Sequence, residues 1–159
     1  MGSVPRLSCT LSVFLLLGTP LQAAQEPTNE QAAIVARCVE EQGLVYPAMA
    51  CFGEVIDQCI GTQNQDSHMI YCSIQEYMVW DQRLNTTYTQ IMKIASTEVK
   101  ASLRSAQRAW IAFRDDTCSA NALLFDGTDA GLIMAACMAS QTAIRSLQLD
   151  QFLSDAQIQ

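Results

Sequence analysis

Residues 70–95 read IYCSIQEYMVWDQRLNTTYTQIMKIA, and their spacing sets the fold class. Ile70, Ile74, Tyr77, Leu84, Tyr88, Ile91 and Ala95 recur in alternating steps of four and three, with Asp81 in the one missing place. That rhythm puts all eight on one stripe of a helix. A half-buried strand would alternate every second residue, and no stretch of the chain does so. Ser96-Thr97 supplies a break and a new N-cap. Leu103, Ala106, Trp110, Phe113 and Thr117 then carry a similar stripe to about Phe125.

Working outward, the sparse Gly and Pro residues fall where helices should start and stop. Thr28-Asn29-Glu30-Gln31 reads as a capping box, and Gly43 ends the helix it opens. Pro47 suits the first turn of a second helix, which Gly61 stops, and Thr62 to Ser67 is a polar loop. Asp126-Gly127-Thr128-Asp129 is the last clear turn, and Ala130 to about Ala156 forms the final helix. The reading is an all-α chain of about five helices arranged as antiparallel hairpins.

The first 24 residues differ in kind. Arg6 gives a basic start, Leu11 to Leu17 is apolar apart from Ser12, and Gly18-Thr19-Pro20 leads to Leu21-Gln22-Ala23-Ala24. This is the pattern of a cleaved signal peptide, with cutting expected after Ala23 or Ala24. Cys9 lies before the apolar run, where it is poorly placed for lipid attachment. No later stretch is apolar for long enough to span a bilayer. The expected product is an exported protein of the periplasm or extracellular space, free of membrane spans after cleavage.

The whole chain carries a net charge of −7. Such a balance argues against nucleic acid, whose phosphates call for Lys and Arg. The charge is uneven: residues 82–114 hold six bases against Glu98, between two acidic segments. A central basic segment flanked by acidic ones is expected to pair internally.

Six cysteines follow the leader: Cys38, Cys51, Cys59, Cys72, Cys118 and Cys137. An even number in an exported chain implies three bridges. In an antiparallel hairpin two residues share a level when their midpoint falls in the connecting turn. Cys38 and Cys51 are centred between Gly43 and Pro47, Cys59 and Cys72 on the polar loop, and Cys118 and Cys137 on Gly127-Thr128. The predicted bridges are therefore 38–51, 59–72 and 118–137. Metal binding is the weaker use: there is no Cys-x-x-Cys, and the only histidine, His68, lies four residues from Cys72. No metal, cofactor or haem attachment is expected.

The most distinctive text is Leu103-Arg104-Ser105-Ala106-Gln107-Arg108-Ala109-Trp110-Ile111-Ala112-Phe113-Arg114-Asp115-Asp116-Thr117-Cys118. Asp81-Gln82-Arg83-Leu84-Asn85-Thr86-Thr87-Tyr88 lies upstream, and Cys137, Thr142 and Arg145 lie downstream. Together these resemble the LprI-like lysozyme-inhibitor family of small exported bacterial domains. Its pattern runs from a cysteine through Asp-x-x-Leu-Asn-x-x-Tyr to Leu-Arg-x-x-Gln-Arg-x-Trp-Ile-x-(Tyr/Phe)-Arg-Asp-x-x-Cys, then a cysteine and Thr-x-x-Arg. Asp126-Gly127 stands where a glycine pair is common. The resemblance covers about residues 59–150, so the expected organisation is a leader at 1–24, a helical extension at 25–58 and an LprI-like domain at 59–156, the last two forming one compact unit. It implies an exported helical fold and suggests lysozyme as the partner.

Asp81 is the polar residue hardest to explain, because its stripe is otherwise apolar. A buried carboxylate needs a cation or several donors, so pairing with Arg108, Arg114 or Arg145 is expected. Asn85 lies one turn on, and Gln107, Trp110 and Arg114 share a face of the next long helix. These five residues form either a polar cleft for a ligand or, as buried charge pairs more often do, an internal network that locks helix register with Trp110 and Phe113 as core. Catalysis finds no support. One histidine makes no triad, and bridged cysteines are not nucleophiles. Glu54, Asp57, Asp115 and Asp116 read as solvated helix acids rather than a glycosidase pair.

The expected activity is binding, not catalysis. One reading is a lysozyme inhibitor that occludes the enzyme's cleft with an exposed turn, at 43–47, 61–67 or 126–129, with Asp126 and Asp129 meeting a basic rim. The other is an interaction module for a different envelope component, which the same helices and bridges would serve.

Overall fold

A computed structural model describes residues 26–43, 48–63 and 65–158. The expected signal peptide, Pro47 and the turn at 44–47 lie outside the described residues. Five α-helices occur among those described: α1 (Asn29–Gln42), α2 (Glu54–Ile60), α3 (Asp66–Ile94), α4 (Thr97–Ala122) and α5 (Gly127–Ile158), with a 3-10 turn at Met49–Cys51. No strand is present among them. The three bridges connect 38–51, 59–72 and 118–137, as the midpoint argument requires.

The capping box at Thr28 forms in full: the Thr28 hydroxyl accepts from the Gln31 amide and the Gln31 side chain accepts from the Thr28 amide. The other boundaries shift. The second helix does not run unbroken to Gly61; a turn at Phe52-Gly53, with Gly53 at φ 102°, separates the 3-10 turn from α2. Asp66 and Ser67, expected in a loop, already belong to α3. The last connection is Leu123 to Asp126, so Thr128 and Asp129 fall in the first turn of α5.

Helices α3, α4 and α5 run up, down and up, which makes the first and third parallel. Thr128 bonds Asp66 near their starts, and Asp150 takes Arg83 and Thr87 toward their far ends. The α3–α5 contact is the most extensive in the molecule. Small side chains allow it: Ala139, Thr142, Ala143 and Ser146 are fully buried on α5. A Cβ at Gly131 would stand 3.3 Å from the Ile70 side chain. By contrast, the backbones of α3 and α4 stand apart.

Two clusters make the core. Val35, Ala48, Cys51, Val55, Val79, Trp80, Ala143 and Leu147 join α1, the 3-10 turn and α2 to the faces of α3 and α5. Leu84, Ile91, Leu103 and Leu149 join α3, α4 and α5, with Tyr88 and Trp110 packed against them. The predicted α3 stripe holds for Leu84 and Ile91 but fails in the first half, where Ile74 is exposed and Cys72, Glu76, Val79 and Trp80 are buried. The cause is α2 and the N-terminal segment, which cover a second face of α3. On α4 the inward face is Leu103, Trp110, Arg114 and Cys118, while Phe113, expected in the core, is 57% exposed.

Candidate functional site

The seam between α3 and α4 gathers five of the predicted residues. Arg114 is buried, with its guanidinium 4.9 Å from the Trp110 ring and 5.8 Å from the Tyr77 ring. Arg145 of α5 lies 5.9 Å over the same indole and donates Nε–H to Gln107 Oε1 at 3.0 Å. Trp110 thus has two cations within 6 Å of its ring centre, where the ring quadrupole attracts each guanidinium. Arg114 gives both its Nε–H and its Nη2–H to one oxygen of Asp115, at 2.9 and 2.8 Å. Asp115, expected to be simply solvated, is therefore the partner of the buried arginine.

Asp81 is not that partner. It is half-buried, its carboxylate accepts from Asn85 Nδ2 at 2.8 Å, and no cation lies within 4 Å of it among the described residues. The expectation of an Asp81–arginine pair is overturned, because Arg114 is spent on its sequence neighbour. Asp81 and Asn85 instead border an open cavity of about 630 Å³ with Tyr77, Gln82, Thr86 and Lys93. Burial pushes the Asp81 carboxyl above the usual carboxylate range, against the opposing pull of Arg114 and the Asn85 hydrogen bond. Tyr77 is likewise raised, first by burial and then by the Asp81 charge.

A carboxyl with a raised folded pKa binds its proton more readily in the folded chain, so ionising it opposes folding. Stability from this group is full below the unfolded pKa of about 3.9 and declines as pH rises through the folded value. The neutral Asp81→Asn variant escapes that loss and keeps an oxygen for Asn85. It is expected to equal wild type near pH 3 and to exceed it slightly at pH 7, measured by paired denaturant melts. A variant clearly less stable at pH 7 would mean that the charge has a stabilising partner after all.

The basic segment pairs internally at only two places. Arg83–Asp150 and Arg114–Asp115 are the ion pairs among the described residues. Arg104 and Arg108 are exposed, and neither meets a carboxylate within 4 Å.

Asp126 and Asp129 belong to a different region. They lie at the α4–α5 connection, about 20 Å along α4 from Trp110 at 1.5 Å per residue. The connection is a tight turn: the amides of Leu123, Leu124 and Phe125 donate to the carbonyls of Ser119, Asn121 and Ala122. Leu123 is 85% exposed, Leu124 78% and Phe125 45%, and Asp126 and Asp129 are exposed beside them. The Cys118–Cys137 bridge braces the base of this tip. Thr128 ties it to Asp66, so the start of α3 lies at the same end of the bundle. Gly43 lies elsewhere, against Leu147, Asp150 and Gln151 near the far part of α5.

Sequence reasoning missed one buried acid altogether. Glu76 is fully buried and accepts from the amides of Gly53, Val55 and Ile56 and from the Trp80 indole. No local pattern could show this, because three donors come from a segment about twenty residues away. His68 lies close to the Cys59–Cys72 bridge, its Nε2 3.6 Å from Cys72 Sγ. Both sulfurs are committed to that bridge, so the trio is not a ligand set in the oxidised protein. No described helix is long and apolar enough to cross a membrane.

A family model described as Lysozyme inhibitor LprI matches residues 59–149. An uncharacterized protein of Rhizobium meliloti (strain 1021) is 27% identical over 100 residues, covering 54% of this chain and 72% of the relative. No solved structure matches.

Proposed function

The chain belongs to the LprI lysozyme-inhibitor family, and from that premise we propose that it is an exported binding protein that occludes a lysozyme cleft with the tip at residues 123–129. The observation that carries this reading is the exposure of two adjacent leucines, at 85% and 78%, on a disulfide-braced turn edged by carboxylates. A soluble helix end normally carries polar side chains, and a rigid apolar point with an acidic edge suits a concave surface with a basic rim. Lysozymes are generally basic, so the acidic excess of this chain would speed encounter. Catalysis has no part in the proposal. The bridged cysteines hold no thiolate.

The test is cell-wall lysis by lysozymes of several types with added oxidised protein, alongside a double variant, Leu123→Ser with Leu124→Ser. Both leucines are exposed, so the variant should melt within about 0.5 kcal/mol of the parent. Losing two central apolar anchors should weaken inhibition at least tenfold, or about 1.4 kcal/mol. Undiminished inhibition by the variant would move docking off the tip. If the parent neither slows lysis nor forms a complex with any type, the lysozyme reading fails and an envelope interaction module takes its place.

A further inference from the structure

We propose that the small pocket between α3 and α4 binds a ligand carrying a carboxylate on a sugar-sized polar body, with Arg104 and Arg108 as the anion clamp. The pocket holds about 280 Å³ and is lined by Asn85, Tyr88, Arg104, Gln107, Arg108 and Ile111. It lies at the seam, away from the tip.

Arg104 and Arg108 are four residues apart on one helix face, where like charges repel. The chain has sixteen acids against nine bases, so a quenching carboxylate should be easy to supply. None stands within 4 Å of either guanidinium among the described residues. Arg145, just behind them, spends Nε on Gln107 and Nη1 on Gln148 and also meets no carboxylate. Two arginines without acid partners lining one small pocket, with Arg145 bonded to its Gln107 from outside, make a local field suited to an anion in an acidic protein. Guanidinium forks match the planar carboxylate in particular.

The neutral lining is oriented as well. Arg145 fixes the Gln107 amide oxygen, which leaves the Gln107 amide nitrogen as the free donor. Asp81 holds the Asn85 amide nitrogen, which leaves the Asn85 oxygen as the free acceptor. The pocket therefore offers one oriented donor and one oriented acceptor beside its two cations. Tyr88 and Ile111 add apolar wall, and Tyr88 is itself packed on the core cluster of Leu84, Ile91, Leu103 and Leu149. Each orienting partner comes from outside the pocket, so the polar groups are set before a ligand arrives. The volume lies at the low end for small-molecule sites, which suits a single ring rather than an extended chain.

N-acetylmuramic acid and N-acetylglucosamine make a matched pair of probes, because they differ only by a lactyl ether carboxylate. Titration of the full oxidised protein, followed by NMR and calorimetry, should show saturable N-acetylmuramic acid binding that shifts the side-chain amides of Asn85 and Gln107. N-acetylglucosamine and inorganic phosphate should each bind at least tenfold more weakly. The exposed double variant Arg104→Gln with Arg108→Gln should keep the parent melting curve and lose at least tenfold in affinity for N-acetylmuramic acid. Equal binding of the two sugars would remove the anion clamp. Phosphate binding as well as the acid sugar would remove the polar body, and no saturable binding of the acid sugar would remove the site.

Discussion

Glu76→Gln is expected to destabilise the oxidised protein by roughly 2–3 kcal/mol, and Glu76→Ala by about 4 kcal/mol, although neither touches any surface proposed to bind. One Glu76 oxygen accepts from the Gly53 amide at 3.1 Å and the Trp80 indole at 2.6 Å. The other accepts from Val55 and Ile56 at 2.9 and 3.0 Å. Glutamine preserves the shape but turns one acceptor into a donor, so its NH₂ must face two N–H groups in a site with no exposure. Alanine leaves all four donors without a partner and opens a cavity beside Trp80 and Val55. Hydrogen bonds to a charged acceptor contribute about 1.5–3 kcal/mol each, but bonds sharing one carboxylate do not add in full. Guanidinium unfolding with the bridges intact reads both losses as a lower midpoint at constant slope. A glutamine variant within about 1 kcal/mol of the parent would show that this carboxylate is not what fixes α2 on α3.

Glu76 also shows where sequence reading stops. The helix periodicity of residues 70–95 marked one apolar stripe, and that stripe describes α3 where only α4 and α5 cover it, at Leu84 and Ile91. In the first half, α2 and the N-terminal segment press on a different face, and the buried set rotates to Cys72, Glu76, Val79 and Trp80. The apolar pattern thus identified the helix but not its neighbours. Asp81 failed for the related reason that a stripe position at the edge of a splayed seam is only half-buried. Arg114 found its carboxylate one residue along the chain, an i to i+1 contact that helix geometry makes hard to anticipate. Cysteine spacing was more informative than hydropathy, because a bridge is a distance constraint and the midpoint test uses only chain length and helix direction. Caps behaved the same way: Thr28 with Gln31 is a local device, legible from four residues. Exposed leucines are the opposite case. Nothing in Leu123-Leu124-Phe125 distinguishes an interior helix end from a projecting one until the neighbouring helices are in place.

Removing the Cys118–Cys137 bridge, by alanine at both positions, is expected to cost about 3 kcal/mol and to weaken lysozyme inhibition with it. The bridge closes a separation of 19 residues, and releasing a loop of that size restores roughly that much unfolded-state entropy on the chain-entropy model. Cys118 is fully buried, so alanine rather than serine avoids stranding a hydroxyl there. The matched control is alanine at Cys38 and Cys51, whose separation of 13 residues predicts nearly the same stability loss. That pair lies at the core cluster of Val35, Val55, Trp80 and Leu147, remote from the tip. Comparable melting losses with inhibition weakened only for the 118–137 variant would tie activity to a rigid tip, because a frayed turn must be ordered at the moment of binding. Equal weakening in both variants would instead mean that inhibition follows global stability. The comparison works because the two bridges contribute alike to the unfolded ensemble and differ in what each holds still in the folded one.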